Sequence, residues 1–114
     1  MDASFEITAD ERRHLLANGR CSARDPEHDP LPVLLLRAAS GTPAWLLAEL
    51  DPDDADLAFG LIDPGDGFPT LGTVRLSALA ALAARGVAVA RDPGFVPGAT
   101  LSVLVIAAYR QGRV

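Results

Sequence analysis

Lysine is absent from the 114 residues, cysteine occurs once, and four phenylalanines, one tryptophan and one tyrosine are the whole aromatic complement. With Cys21 alone no intramolecular disulfide can form, and a cysteine-based zinc site would need ligands from elsewhere. A cytoplasmic compartment is therefore expected. Long apolar runs are missing too: Leu101 to Tyr109, the longest nearly unbroken one, is about half of the roughly 20 residues a membrane helix needs. No membrane association is expected. Met1 to Thr8 carries Asp2 and Glu6 and lacks a basic start followed by an apolar run, which argues against a secretory signal. Positive charge is scarce: ten arginines face fifteen acids, for a net charge of −5. Phosphate-backbone binding is driven by basic side chains that release counterions, so this balance disfavours direct nucleic-acid binding and favours a partner with a basic surface.

An apolar fraction of 49% at this length predicts one compact domain over residues 1–114 that buries about two-thirds of its unfolded surface without metal or disulfide staples. The acidity is local. Residues 1–57 hold twelve acids and five arginines, whereas residues 58–114 hold three acids and five arginines.

Thr8-Ala9-Asp10-Glu11 has capping-box spacing, which predicts a helix start, and Asn18-Gly19 reads as its end because glycine accepts a left-handed C-cap cheaply. Residues 20–32, with Pro26, Pro30 and Pro32, read as a surface loop. Val33 to Arg37 reads as a strand. Ala44 to Leu50 and Leu57 to Asp63 flank Asp51-Pro52-Asp53-Asp54, a natural type I turn, and so predict a β-hairpin. Leu71 to Leu76 reads as a further strand, Ser77 as the cap of a helix to Ala84 that ends at Gly86, and Val87 to Arg91 as a short strand. Thr100 is the expected cap of a last helix in which Leu101, Leu104, Val105 and Ala108 share one stripe. Val103, Val105 and Ile106 also permit a strand over residues 101–109. The fold class is thus α+β: a small, mostly antiparallel sheet with a central hairpin, packed by two or three short helices.

With the turn centred on Asp53 and Asp54, Leu50 falls opposite Leu57, Ala48 opposite Phe59 and Leu46 opposite Leu61, all on one face. Trp45, Leu47 and Glu49 take the reverse face, with Trp45 near Ile62 and Leu47 beside Gly60. That second face is also largely apolar. Either another layer covers it, or a partner does, a second copy in a homodimer being one form.

The candidate binding residues lie on and around this hairpin: Glu49, Asp51, Asp53, Asp54 and Asp56, with Asp63 and Asp66 at the opposite end of the second strand, and Trp45 as an aromatic anchor. No metal site is assigned. Counted from Asp51, the sixth and twelfth places of a calcium loop hold Asp56 and Ile62 where glycine and glutamate are required. No catalytic residue is assigned either. Cys21, His28 and His14 supply a thiol and two bases, but a proline-rich loop offers no preorganisation. Gly65-Asp66-Gly67 continues into Phe68-Pro69, which breaks the dinucleotide fingerprint, so no cofactor is expected.

The run Trp45 to Gly65, followed by Pro69-Thr70-Leu71-Gly72-Thr73-Val74, resembles the bacterial family known as domain of unknown function 2958, and the likeness extends more loosely over the Thr8 to Gly19 and Asp92 to Gly112 segments. The resemblance implies a short single-domain protein of the kind often encoded on plasmids and other mobile elements, without an assigned activity or cofactor. Members usually carry glutamate at the place of Thr70 and another in the following helix, where this chain has alanines. That departure weighs against enzymatic chemistry there. The expected function is a non-enzymatic, acidic protein-binding module that meets a basic surface, in its most specific form a mobile-element inhibitor of a host defence or nucleic-acid-binding protein. The alternative is a small metal-assisted hydrolase using the carboxylates from Asp51 to Asp66. The two differ in geometry: an enzyme gathers carboxylates in a concave site with shifted pKa values, and a decoy spreads them over a convex face.

Overall fold

A computed structural model describes residues 5–114; Asp2 and the opening of the N-terminal segment lie outside the described residues. The elements run α1 (Ala9–Arg24), β1 (Leu34–Ala38), β2 (Ala44–Asp51), β3 (Asp54–Asp63), β4 (Thr70–Arg75), α2 (Leu76–Ala84), β5 (Val89–Arg91) and α3 (Leu101–Gln111). The five strands form one sheet in the order β4-β3-β2-β1-β5, and every neighbouring pair is antiparallel. The fold is α+β, as the sequence predicts, and residues 101–109 are helical.

β1 and β2 are apolar at nearly every position because helices cover both faces of the sheet, so the burial period of two separates two cores instead of core from solvent. On one face Leu34, Leu36, Trp45, Leu47 and Leu50 pack with Leu15 of α1, Leu76 and Leu79 of α2, and Val89. On the other, Leu35, Ala44, Leu46, Ala48 and Leu61 meet Leu101, Val105 and Ala108 of α3. The apolar reverse face of the hairpin is therefore covered by this chain's own α1 and α2. It is not exposed for a second copy.

α1 begins as its capping box requires: the Thr8 hydroxyl accepts from the Glu11 amide (3.1 Å), and the Glu11 carboxylate accepts from the Thr8 amide (2.9 Å). It does not end at Gly19. The helix continues to Arg24 and is tied to β2 through the residues expected to stop it. Asn18 Nδ2 donates to the Ala48 carbonyl (3.0 Å), and a Cβ at Gly19 would stand 2.0 Å from the Leu50 carbonyl oxygen. Glycine here serves close approach of helix and strand, which local sequence does not distinguish from a C-cap.

The hairpin register holds as expected for Trp45 opposite Ile62, Leu46 opposite Leu61 and Leu47 opposite Gly60, then shifts by one at a bulge, so that Glu49 faces Phe59 and Leu50 faces Ala58. Leu50 thereby joins Leu47 on the α1 face instead of Leu46 and Ala48. A bulge inserts one extra residue and turns the side chains after it to the other face; the Asn18 side chain meets the bulge at the Ala48 carbonyl. β3 also begins earlier than predicted, leaving only Pro52 and Asp53 between the strands.

The two later helices are not capped by their own sequence. Neither Thr100 nor Arg75, which occupy the N-cap positions, makes a side-chain cap bond. Each helix has serine as its second residue, and each serine is held by a distant aspartate. Asp56 accepts from the Ser77 amide (2.9 Å) and hydroxyl (2.6 Å). Asp29 accepts from the Ser102 amide (3.0 Å) and hydroxyl (2.5 Å). A carboxylate at a helix N-terminus satisfies an orphan amide and complements the helix dipole.

Candidate functional site

The hairpin carboxylates have distinct surroundings. At the tip, Asp51 accepts from the Asp53 amide (2.8 Å), the bond expected of an aspartate that opens a turn. Asp54 accepts from the Asp56 amide (3.3 Å) and pairs with Arg75 (2.9 Å). Arg75 is raised above its ordinary pKa, chiefly by its hydrogen bond to Asp54. Asp56 caps α2, and the Ser77 hydroxyl is the main reason its carboxyl sits below the usual aspartate range. Asp53 is exposed and Asp51 half-buried.

The bulge directs Glu49 to the side of Phe59, where the Ser22 hydroxyl of α1 donates to its carboxylate (2.7 Å). Here two clefts adjoin, with Ser22, Glu49 and Phe59 common to both. The larger, about 560 Å³, lies between α3, the β3–β4 strands and the loop before β1; its apolar wall includes Phe59, Leu71, Leu101, Val105 and Ile106, and its polar rim includes Glu49, His28 and Asp29. The smaller, about 420 Å³, runs toward the hairpin tip past Asp51, Asp53 and Thr73. Four carboxylates line the pair and no arginine lines either.

Asp29 is held below the usual aspartate range, first by the Ser102 hydroxyl. His28 beside it has a buried Nε2 without a hydrogen-bond partner. Cys21, expected in a loop, lies half-buried inside α1, and His14 is exposed on the same helix.

Every described residue from Glu6 onward falls within the span, residues 6–114, that matches a family model described as Protein of unknown function (DUF2958). The chain belongs to this family. No curated protein and no solved structure matches it.

In this DUF2958 chain the remaining candidates are not gathered with the clefts. Asp63 and Asp66 lie at the opposite end of the ten-residue β3 from Asp54 and beyond it. Asp63 is buried and accepts from the amides of Gly65 (2.9 Å) and Val114 (3.0 Å). Asp66 accepts from the Phe68 amide (2.9 Å). Trp45 is only 6% exposed and packs in the α1–α2 core. Among the described residues no three His, Cys, Asp or Glu side chains are grouped so as to hold a metal ion. None of the described helices is long and apolar enough to cross a membrane. Thr70 opens β4 as an exposed residue.

Sequence reasoning assigned no binding role to Asn18, Ser22, Asp29, Leu71 or Ile106. For Asn18, Gly19 and Ser22 a signal exists: Ser22 follows them by four and three residues, spacings that share a helical face, legible once the helix is known to pass Gly19. For Asp29 there is none, because its partner is 73 residues away.

Proposed function

We propose that the chain is a non-enzymatic protein-binding module that receives a partner with a basic surface along its paired clefts. The observation that carries this reading is the lining itself: Asp29, Glu49, Asp51 and Asp53 beside Phe59, Leu71 and Ile106, without one arginine; these carboxylates line a concave surface and not the convex face expected of a decoy, and Asp29 is lowered by its helix-capping bonds to Ser102, not raised for proton transfer. Apolar walls give area to bury, and unopposed carboxylates select cationic partners and speed their approach. A protein whose groove is basic because it holds nucleic-acid phosphates fits this face, so inhibition of a host-defence or nucleic-acid-binding protein, carried by a mobile element, is the most specific form of the reading. Of the hairpin acids, Glu49, Asp51 and Asp53 carry the contact, since Asp54 and Asp56 are both paired with the Arg75 guanidinium and Asp63 is enclosed.

The test is affinity capture from the source organism with the wild-type chain and with Glu49→Gln, Asp51→Asn and Asp53→Asn combined. A partner bound by the wild type should be lost from the variant and released at about 0.5 M salt, where charges are screened beyond roughly 4–5 Å. A partner that both proteins retain equally overturns the reading.

A further inference from the structure

We infer that the free edge of β4 takes up an extended segment of the partner as a sixth strand, one that carries an apolar and a basic side chain two residues apart on its cleft-side face. This rests on the proposed role of the clefts and states how the partner is held.

β4 is the last strand on its side of the sheet. Its pairing with β3 is regular over six residue pairs, Leu57 with Arg75 to Ile62 with Thr70, without a bulge, and among the described residues the backbone of Thr70–Val74 has no hydrogen-bond partner outside that ladder. Edge strands in soluble proteins are normally blunted by charge, proline, bulges or shortness. β4 lies between Pro69 and its own last residue, Arg75, and the five residues between them, Thr70-Leu71-Gly72-Thr73-Val74, have no charge and no proline. The opposite edge is much shorter: β5 has only three residues.

The clefts lie directly beside this edge. Leu71, 45% exposed, and Ile106, 53% exposed, stand in the wall of the larger cleft, and Thr73 lines the smaller one. A strand laid along β4 places every second side chain on this side of the sheet, about 7 Å apart. One such position meets the apolar surface of Leu71 and Ile106. A long basic side chain two residues on reaches toward the carboxylates of Glu49, Asp51 and Asp53. Main-chain bonds then supply affinity and the clefts supply selection, as in other cases of strand addition. Charge also chooses between occupants. A second copy paired edge to edge would bring acidic clefts beside acidic clefts, whereas a basic segment neutralises them.

The probe is a blocked peptide of about ten residues that repeats Val-Thr-Arg-Thr, long enough for one strand and carrying valine and arginine two residues apart on one face. Its control is the same peptide with alternate backbone amides N-methylated, which keeps the charge and removes one hydrogen-bonding edge. The expected result is binding of the unmodified peptide, slowed hydrogen exchange of amides within residues 70–74, and affinity about tenfold weaker for the methylated peptide. Equal binding of both peptides, or binding without added protection of residues 70–74, overturns the edge inference and leaves the cleft reading standing. Equal binding to the Glu49→Gln, Asp51→Asn, Asp53→Asn variant overturns the cleft reading instead. Failure to bind either peptide overturns the inference. So does concentration-dependent self-association that Leu71→Lys abolishes, because it assigns the edge to a second copy.

Discussion

Two helices cover one face of the sheet and one helix covers the other, and this inequality organises the molecule. On the α1–α2 face Leu15, Leu36, Leu47, Leu50 and Leu79 are all nearly inaccessible. On the α3 face Leu46 and Leu61 are equally buried, but the cover ends before β4: Phe59 is half-buried, Leu71 and Ile106 are exposed, and the two clefts open there. A closed face stabilises the fold, and an incompletely covered one is where a ligand can gain from burial. The carboxylates belong to the same asymmetry. Where the cover is complete, Arg91 and Glu11 tie strand to helix; where it is not, the acids of the clefts have no arginine beside them in the lining.

The largest effect expected from this contrast is on stability. Leu47→Ala empties a fully enclosed site and should cost about 3 kcal/mol in urea unfolding. Ile106→Ala, at the rim of the open face, should cost less than about 0.5 kcal/mol. Equal losses would mean that the two faces contribute alike and would remove the basis for distinguishing them.

Acid should act next most strongly. Glu11, Asp29, Asp56 and Asp92 are all held below the ordinary carboxylate range. The leading causes are the Arg91 hydrogen bond for Glu11, the serine hydroxyls for Asp29 and Asp56, and the Gly94 amide for Asp92. Carboxyls with depressed folded pKa values contribute stability that is complete above their unfolded values, near pH 4, and lost as pH falls through the folded ones. Unfolding free energy should therefore be level from about pH 7 to 5 and decline below about 4.5. Glu11→Gln should reduce stability at neutral pH and make the acid decline shallower. A decline no shallower than the wild type's would remove Glu11 from the cause.

The smallest and most local effect concerns the two caps. Asp56→Asn and Asp29→Asn should each lower the melting temperature by about 3–5 °C. They should differ in where the loss appears. Asp29→Asn should speed amide exchange in the first turn of α3, beside the larger cleft, and Asp56→Asn in the first turn of α2. Exchange that rises in both helices with either change would show that the caps act through the whole sheet and not helix by helix.

Much of the fold is legible locally. The Thr8 to Glu11 box, the apolar run of β1 and the Asp51-Pro52 turn are short-range signals, and each leads to the element it predicts. The candidate site is legible in part. Glu49 and the tip aspartates stand out as a charge cluster, but whether each is turn, cap, ion pair or cleft lining depends on Arg75, Ser77 and Ser22, which are distant in sequence.

What the sequence alone determined is the set of elements before residue 101, their antiparallel hairpin up to Leu47, and the concentration of acid in the first half, because capping, turn chemistry and strand period act over a few residues. Tertiary structure decided the rest. Gly19 lies inside a helix as glycine because the Leu50 carbonyl occupies the place of a side chain, Leu50 changes face because a bulge is held at Ala48, and Asp29 and Asp56 cap helices that begin far along the chain from them. Close approach, bulge position and capping across the chain depend on which backbone atoms meet in space, and residues that far apart leave no pattern in a linear reading.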